Sequence, residues 1–541
     1  MPSASAFAYV ISPRFRRALG GSAERTPGAW LQIISGSRNG AACRRWCSAA
    51  ILAILLSACR VGPRYNPPAT PAPPSFKESA PAEYSSAPPG TWRPAKPQDA
   101  VLKGKWWEMF NEPELNSLEE QLNINNQNIA QYFQNFMAAR AQISEARSGY
   151  YPTVSANPSF TKSGRGASGG SNAALSSTTS PAVGTSGIGG GSTTATSIVL
   201  PVDISWAPDL FGRVRNTVRE AQYNAQVSAA DLENERLAEQ SALAEYFFQL
   251  RGQDSLQDVY DRTIAADQES LNLTRALVET GIDSPEDAAQ AEVTLADAEE
   301  AGAGVATNRA LYEHAIAMLI GKAASEFAMP IKKLTTPLPP IPVGVPSELL
   351  QRRPDIAGAE RAMAAANAQI GVEKAAYYPS FSLTADGGAA GTTLKTLFSL
   401  PGLFWSLGSS ASELIFDAGL RRATVAQYTA AYNANVAAYK QTVLTAFQQV
   451  EDYIATLRVT SDQIARERAA LTAAQQYLEI ATSRYETGLD PYLNVMTAEL
   501  TLLANQQIQV TLQVNEMTAA VELVQALGGG WNANQLPSAP K

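Results

Sequence analysis

Histidine and cysteine are nearly missing from this chain, and their scarcity removes most of the chemistry a sequence can advertise. There is one histidine, His314, so neither a His-based catalytic triad nor a multi-His metal centre is expected. The three cysteines, Cys43, Cys47 and Cys59, all lie near the N-terminus. No disulfide framework and no Cys-ligated metal site can therefore exist in the body. A CxxxC metal pair at Cys43 and Cys47 competes with the secretion signal around them. Long apolar runs are lacking too. No stretch of about 18 apolar residues occurs, so no transmembrane helix is expected in the mature protein. Charge is sparse, at 17% of residues, and basic residues are the minority. Residues 1–58 hold seven Arg and one acidic residue, which leaves 35 basic and 49 acidic residues, a net of −14. That balance argues against a nucleic-acid partner. No metal, cofactor or catalytic constellation is expected.

What is present begins with an address. Arg44-Arg45 precede a short apolar stretch from Cys47 to Leu56, the pattern of a signal peptide rather than a span. Leu56-Ser57-Ala58-Cys59 follows, with small residues before a cysteine. It resembles a bacterial lipobox, which implies lipidation of Cys59. An ordinary signal peptide with an unmodified cysteine is the other reading. Arg60 is not the aspartate that holds lipoproteins in the inner membrane, so outer-membrane sorting is implied. Residues 1–40 are long for a signal, which points to a start further downstream. The signal is assigned to 1–58, and 59–110 to a Pro-rich arm ending in Trp106-Trp107. The Trp pair reads as a packing anchor.

Beyond the arm, one pattern occurs twice. Glu279-Thr280-Gly281-Ile282-Asp283 returns as Glu486-Thr487-Gly488-Leu489-Asp490, an offset of 207 residues. Tyr150-Tyr151-Pro152 returns as Tyr377-Tyr378-Pro379, at 227. The 20-residue difference falls between these motifs, where loops absorb insertions cheaply. The chain divides into a first repeat (111–327), a Pro-rich crossover (328–346), a second repeat (347–527) and a tail (528–541). In each repeat a helix precedes two strands, and two long helices follow. Helical spacing covers Pro113 to Tyr150, Gly212 to Thr280, Ser284 to about Ile320, Ser347 to Ala376, Gly419 to Thr487 and Pro491 to Leu527. Strands are expected at about 153–163, 193–206, 380–390 and 403–416. Ile198, Leu200, Val202, Ile204 and Trp206 alternate, giving one apolar face. Strands of roughly 10 residues match a membrane barrel, and equally a soluble hairpin. Tyr432, Val436, Tyr439, Val443, Phe447, Val450, Ile454 and Leu457 advance by three or four residues, as in a coiled coil.

Arg352-Arg353-Pro354-Asp355-Ile356, continuing through Ala368-Gln369-Ile370-Gly371 to Tyr378-Pro379-Ser380, resembles the TolC-like outer-membrane factors, in their NodT-type efflux lipoprotein branch. The resemblance covers about residues 55–530. It implies a mainly α fold with a transmembrane β-barrel part, built from a duplicated unit of long coiled-coil helices plus a β-hairpin. Three subunits would form an α-helical barrel and a 12-stranded β-barrel. It further implies a passive exit duct in the outer membrane, a homotrimer held in outer-membrane lipid. The duct would work with a periplasmic adaptor and an inner-membrane RND-type pump. A lipid-anchored coiled-coil protein without a pore, and an outlet for secreted proteins, are the competing functions.

On this reading each repeated motif is a helical tip facing the periplasm. Asp283, Glu286 and Asp287 lie at the first tip and Asp490 at the second. Three copies around a pore would repel one another and attract cations, a gate. Acidic residues in a first helical turn also serve as caps, so gate and cap both stand. Gly281 and Gly488 suit a turn with positive φ, and the resemblance makes these turns the adaptor-docking points. Family members often carry an Asp–Val or Asp–Leu pair after the tip. Here Asp287-Ala288 and Asn494-Val495 stand there, so the two tips differ.

Overall fold

The computed structural model describes residues 61–67, 73, 75–78, 104–165, 193–341, 351–531 and 536–537. Cys59, the signal segment, residues 166–192 and residues 342–350 lie outside them. The helices are α1 (Pro113–Asn125), α2 (Gln127–Ser148), α3 (Arg213–Glu279), α4 (Pro285–Leu319), α5 (Pro354–Ala375), the single turn α6 (Leu394–Leu397), α7 (Leu420–Glu486) and α8 (Tyr492–Ala526). The strands are β1 (Thr153–Ala156), β2 (Ser159–Arg165), β3 (Thr193–Trp206), β4 (Ser380–Gly391) and β5 (Leu403–Ser412).

The duplication is visible in element lengths. Both α3 and α7 have 67 residues, and both α4 and α8 have 35. At 1.5 Å per residue, 67 residues extend about 100 Å. The helices α3 and α4 form one hairpin, α7 and α8 the other, and α3 also lies along α8. Among the described residues no helix is long and apolar enough to cross a membrane.

Four expected boundaries are corrected. The helix from Pro113 is broken at Asn126, whose side chain accepts from Ile129 N at 3.0 Å and donates to the Leu319 carbonyl at 2.9 Å. That side chain caps α2 and ties it to the end of α4. The first strand is interrupted at Asn157-Pro158, which face Pro201 and Leu200 in a register continuous from β1 to β2. Two prolines without N–H groups cannot keep that ladder. The last strand stops at Ser412 rather than 416, because its partner β4 begins at Ser380. Arg421 instead holds the following segment through Glu413 at 3.2 Å and Asp417 at 2.7 Å. For the expected helix from Ser347, α5 begins at Pro354, after a break at Arg353.

Register sorts the sheet into two chemistries. The order is β1 and β2 on β3, then β4, then β5, all antiparallel. One face carries Val154, Ile198, Leu200, Val202, Ile204, Trp206, Phe381, Leu383, Leu403, Trp405 and Leu407. The other carries Thr153, Ser155, Asp203, Ser205, Ser382, Thr384, Asp386, Ser406 and Ser410. Trp405 and Leu407 are more than three-quarters exposed. Ser382 and Ser410 bond across the polar face at 2.7 Å, and Ser406 donates to Asp386 at 2.8 Å. An exposed apolar face opposite a polar one is the pattern of a barrel wall between lipid and water.

The main core sits midway along the long helices. Trp106, Trp107 and Phe110 pack there with Phe247, Phe248, Ile316, Val450 and Val521. An ion-pair knot fastens the crossover beside it. Arg251, 2% exposed, reaches Asp254 at 2.9 Å, Glu114, and the carbonyl of Pro330 at 2.6 Å. Arg309 meets the same Asp254 at 2.6 Å. The arm runs toward the sheet end: Asn216, one turn into α3, donates to the Val61 carbonyl at 3.2 Å, and Tyr65 donates to Glu360.

Candidate functional site

At the ends of the hairpins farthest from the sheet, the two repeated motifs form the same turn. Gly281 and Gly488 have φ of 76° and 70°, and a Cβ on either would meet no atom within 4 Å. Conformation, not crowding, is what calls for glycine here. Leu277 and Arg484 carbonyls accept from Ile282 N and Leu489 N, both at 2.9 Å, which closes each helix in the Schellman manner.

The acidic residues have diverged in what they hold. Ser284 and Asp287 form a reciprocal capping box at the start of α4. Asp283 accepts from the Tyr485 hydroxyl, a bond that joins the first hairpin to the second. Thr274 on α3 meets the same hydroxyl at 3.2 Å. Burial, then the bond to Asp283, pushes the Tyr485 phenol up to about 12, so it stays a neutral donor. Asp490 turns onto Arg484 of its own hairpin at 2.6 Å and 3.1 Å. The guanidinium holds the Asp490 carboxyl below its ordinary range. Among the described residues Glu286 makes no ion pair and is exposed.

Tyr485 and Arg484 are functional candidates that the repeat comparison passes over. The signal for them is the difference between the copies. At the 207 offset they stand where the first copy has Val278 and Leu277. Below the tip, Tyr485 packs edge-on to Tyr492 at 5.5 Å within a small core of Leu271, Leu295, Ala481, Val495 and Ala498. Ser270 donates to Tyr492 at 3.3 Å, a further link between the two hairpins, here from α3 to α8.

Comparison with known proteins places this geometry. The family model for outer membrane efflux proteins matches residues 118–322 and 345–529. The probable efflux pump outer membrane protein TtgC of Pseudomonas putida is 31% identical over 486 residues, 90% of this chain and 95% of that protein. Outer membrane protein OprJ of Pseudomonas aeruginosa is 30% identical over 506 residues, 90% and 96% of the two chains. The solved outer-membrane channel OprN superposes with a TM-score of 0.75 at 26% identity, covering 87% of this chain and all of that one. The chain belongs to the outer membrane efflux protein family, as the outer-membrane channel component of an efflux system.

Proposed function

We propose that the chain is one subunit of a trimeric passive duct. Drugs or other small molecules would enter through a periplasmic adaptor from an inner-membrane RND-type pump and leave at the cell surface. The observation that carries this reading is the two-faced sheet continued by helices about 100 Å long. Among the described residues its outer edges at β1–β2 and β5 have no further strand partner. Open edges are intolerable in lipid, and four strands are too few to enclose an aqueous channel. Closure by further copies satisfies both constraints. The residues offer binding and shape rather than a reaction, so energy comes from the pump. Cys59 is proposed as the lipid anchor; it lies two residues upstream of Val61, which Asn216 holds next to the sheet end.

The tips are proposed as the closable periplasmic mouth and as the adaptor-docking turns, through Gly281 and Gly488. Asp283 acts there as a latch to Tyr485, Asp490 as half of an ion pair, Asp287 as a cap, and Glu286 as the acidic group left facing water. Reconstitution in planar bilayers tests the duct. Discrete conductance is expected, whereas a coiled-coil protein without a pore conducts nothing. Replacing Asp283 and Asp490 by Ala should change block by divalent cations, and unchanged block removes them from the gate.

A further inference from the structure

The seam where α3 lies against α8 joins the first hairpin to the second. It is close-packed: a Cβ on Gly252 would come within 2.3 Å of Val514 Cγ2. Nearer the tip, Gln507 donates to the Tyr260 hydroxyl at 2.9 Å. Between that bond and the Ser270–Tyr492 bond lie two carboxyls, Asp267 from α3 and Glu499 from α8. Asp267 is 2% exposed, and both of its oxygens lack a hydrogen-bond partner, as does Glu499 Oε2. A buried ionised carboxylate without a donor is costly, so these groups need protons, or they need to leave.

We propose that Asp267 and Glu499 are a proton-operated catch between the two hairpins. Carrying protons, they let α3 and α8 pack; losing them, they force this part of the seam open and loosen the tip. The proposal deepens the reading of the tips as a closable mouth and rests on it.

The surroundings support this assignment. Burial pushes the Asp267 carboxyl up to about 6. Burial first, then the charge of Asp267, pushes Glu499 up to about 7. Among the described residues Tyr492 acts with them, itself pushed up to about 12, chiefly by burial. From the flanking helices, α4 and α7, the adjoining core receives apolar Leu295 and Ala481. Among the described residues neither carboxyl has an ion pair. The sign follows. Both carboxyls titrate above their ordinary values, so packing is undisturbed at low pH. The penalty grows as pH rises from the ordinary carboxylate range and is complete above about 7. Asp267 lies 14 residues before Gly281, about 20 Å from the turn, close enough to act on the latch through rigid helix.

The seam has a second pair of carboxyls, partly buried. Glu245 on α3 and Glu522 on α8 lie about 33 Å farther from the tip. Burial, then Glu522, pushes Glu245 up to about 7, and burial raises Glu522. Tyr453 of α7 faces this pair together with Arg353 and Asp452. Arg353 is already occupied by Asp355, Gln449 and the Ala526 carbonyl.

The test is hydrogen exchange of the full-length assembled protein at pH 5.5 to 8, corrected for the intrinsic chemical rate. Exchange within 262–272 and 494–504 should rise at least about tenfold across that range, one pK unit being a factor of ten. The Asp267→Asn/Glu499→Gln protein, which cannot ionise there, should stay flat. A flat wild type, or equal slopes in both proteins, overturns the proposal. So does restored protection at pH 8 on adding calcium or magnesium, which would make the pair a metal site. If the double variant does not assemble, the wild-type profile alone decides. Bilayer conductance is read in parallel. Open probability should rise with pH in the wild type and not in the variant. A protein silent at every pH but still showing pH-dependent exchange would remove the duct and keep the catch.

Discussion

Replacing Tyr485 by Phe removes one oxygen and keeps the ring that packs on Tyr492 at 5.5 Å. The lost oxygen donates to Asp283 and meets Thr274 at 3.2 Å, so two links between the hairpins disappear together. A hydrogen bond to a charged acceptor contributes about 1.5–3 kcal/mol, and the partly exposed Asp283 puts this one near the lower figure. At about 1.4 kcal/mol per factor of ten, one subunit shifts toward separation about tenfold. If three subunits open together, the shifts multiply to about a thousandfold. Asp283 stays hydrated at the tip, so little of the loss comes from a stranded charge. The assay is single-channel recording of Tyr485→Phe beside wild type at one pH and salt concentration. Open probability should increase, with unit conductance in the open state unchanged because the pore wall is intact. Equal open probabilities would refute the latch. A changed open conductance with equal open probability would place Tyr485 in the pore wall instead.

Three other outcomes follow from the same geometry. Arg251→Ala removes one of two guanidinium partners of Asp254, which Arg309 still meets at 2.6 Å, and should cost about 1.5–3 kcal/mol, read as a lower unfolding temperature of the assembled protein. Gly388→Ala would put a Cβ 2.2 Å from the Leu200 carbonyl oxygen, and should block β3–β4 pairing, seen as loss of heat-stable oligomer on gels. Asp203 and Asp386 face each other across β3 and β4 on the polar face, where like charges repel. Changing both to Asn should lower the preference for cations, measured as reversal potential in a salt gradient; an unmoved potential takes them out of the water column.

Much of this architecture is written in repeats and periods, and what is not follows from contacts between them. Offsets of 207 and 227 residues show the duplication without any coordinates, since each copy must fold by the same local rules. Alternation from Ile198 to Trp206 shows the apolar sheet face, because successive side chains point opposite ways. The break at Asn126 was not legible, because it depends on a carbonyl at Leu319, 193 residues away. The stop at Ser412 depends on where the partner strand begins. Gly281 and Gly488 were legible as turns, while Tyr485 was not legible as Asp283's partner.

That last difference bears on how a duplicated chain acquires a moving part. Two identical hairpins would present identical surfaces, and a link between them would need a donor and an acceptor on each. Here the backbone turn is kept in both copies, down to the same carbonyl acceptors, while the side chains at the offset positions have separated. The first tip retains an acceptor, Asp283; the second supplies the donor, Tyr485, and neutralises its own Asp490 with Arg484. The seam below has divided differently, with Asp267 on one hairpin and Glu499 on the other, two acids without a base between them. The turn is thus bound by a bond that endures to high pH, while the packing of the stretch about 20 Å away weakens as its two acids lose their protons. A tip built this way gives at the seam before it gives at the latch, and opening begins in the helices rather than at the turn.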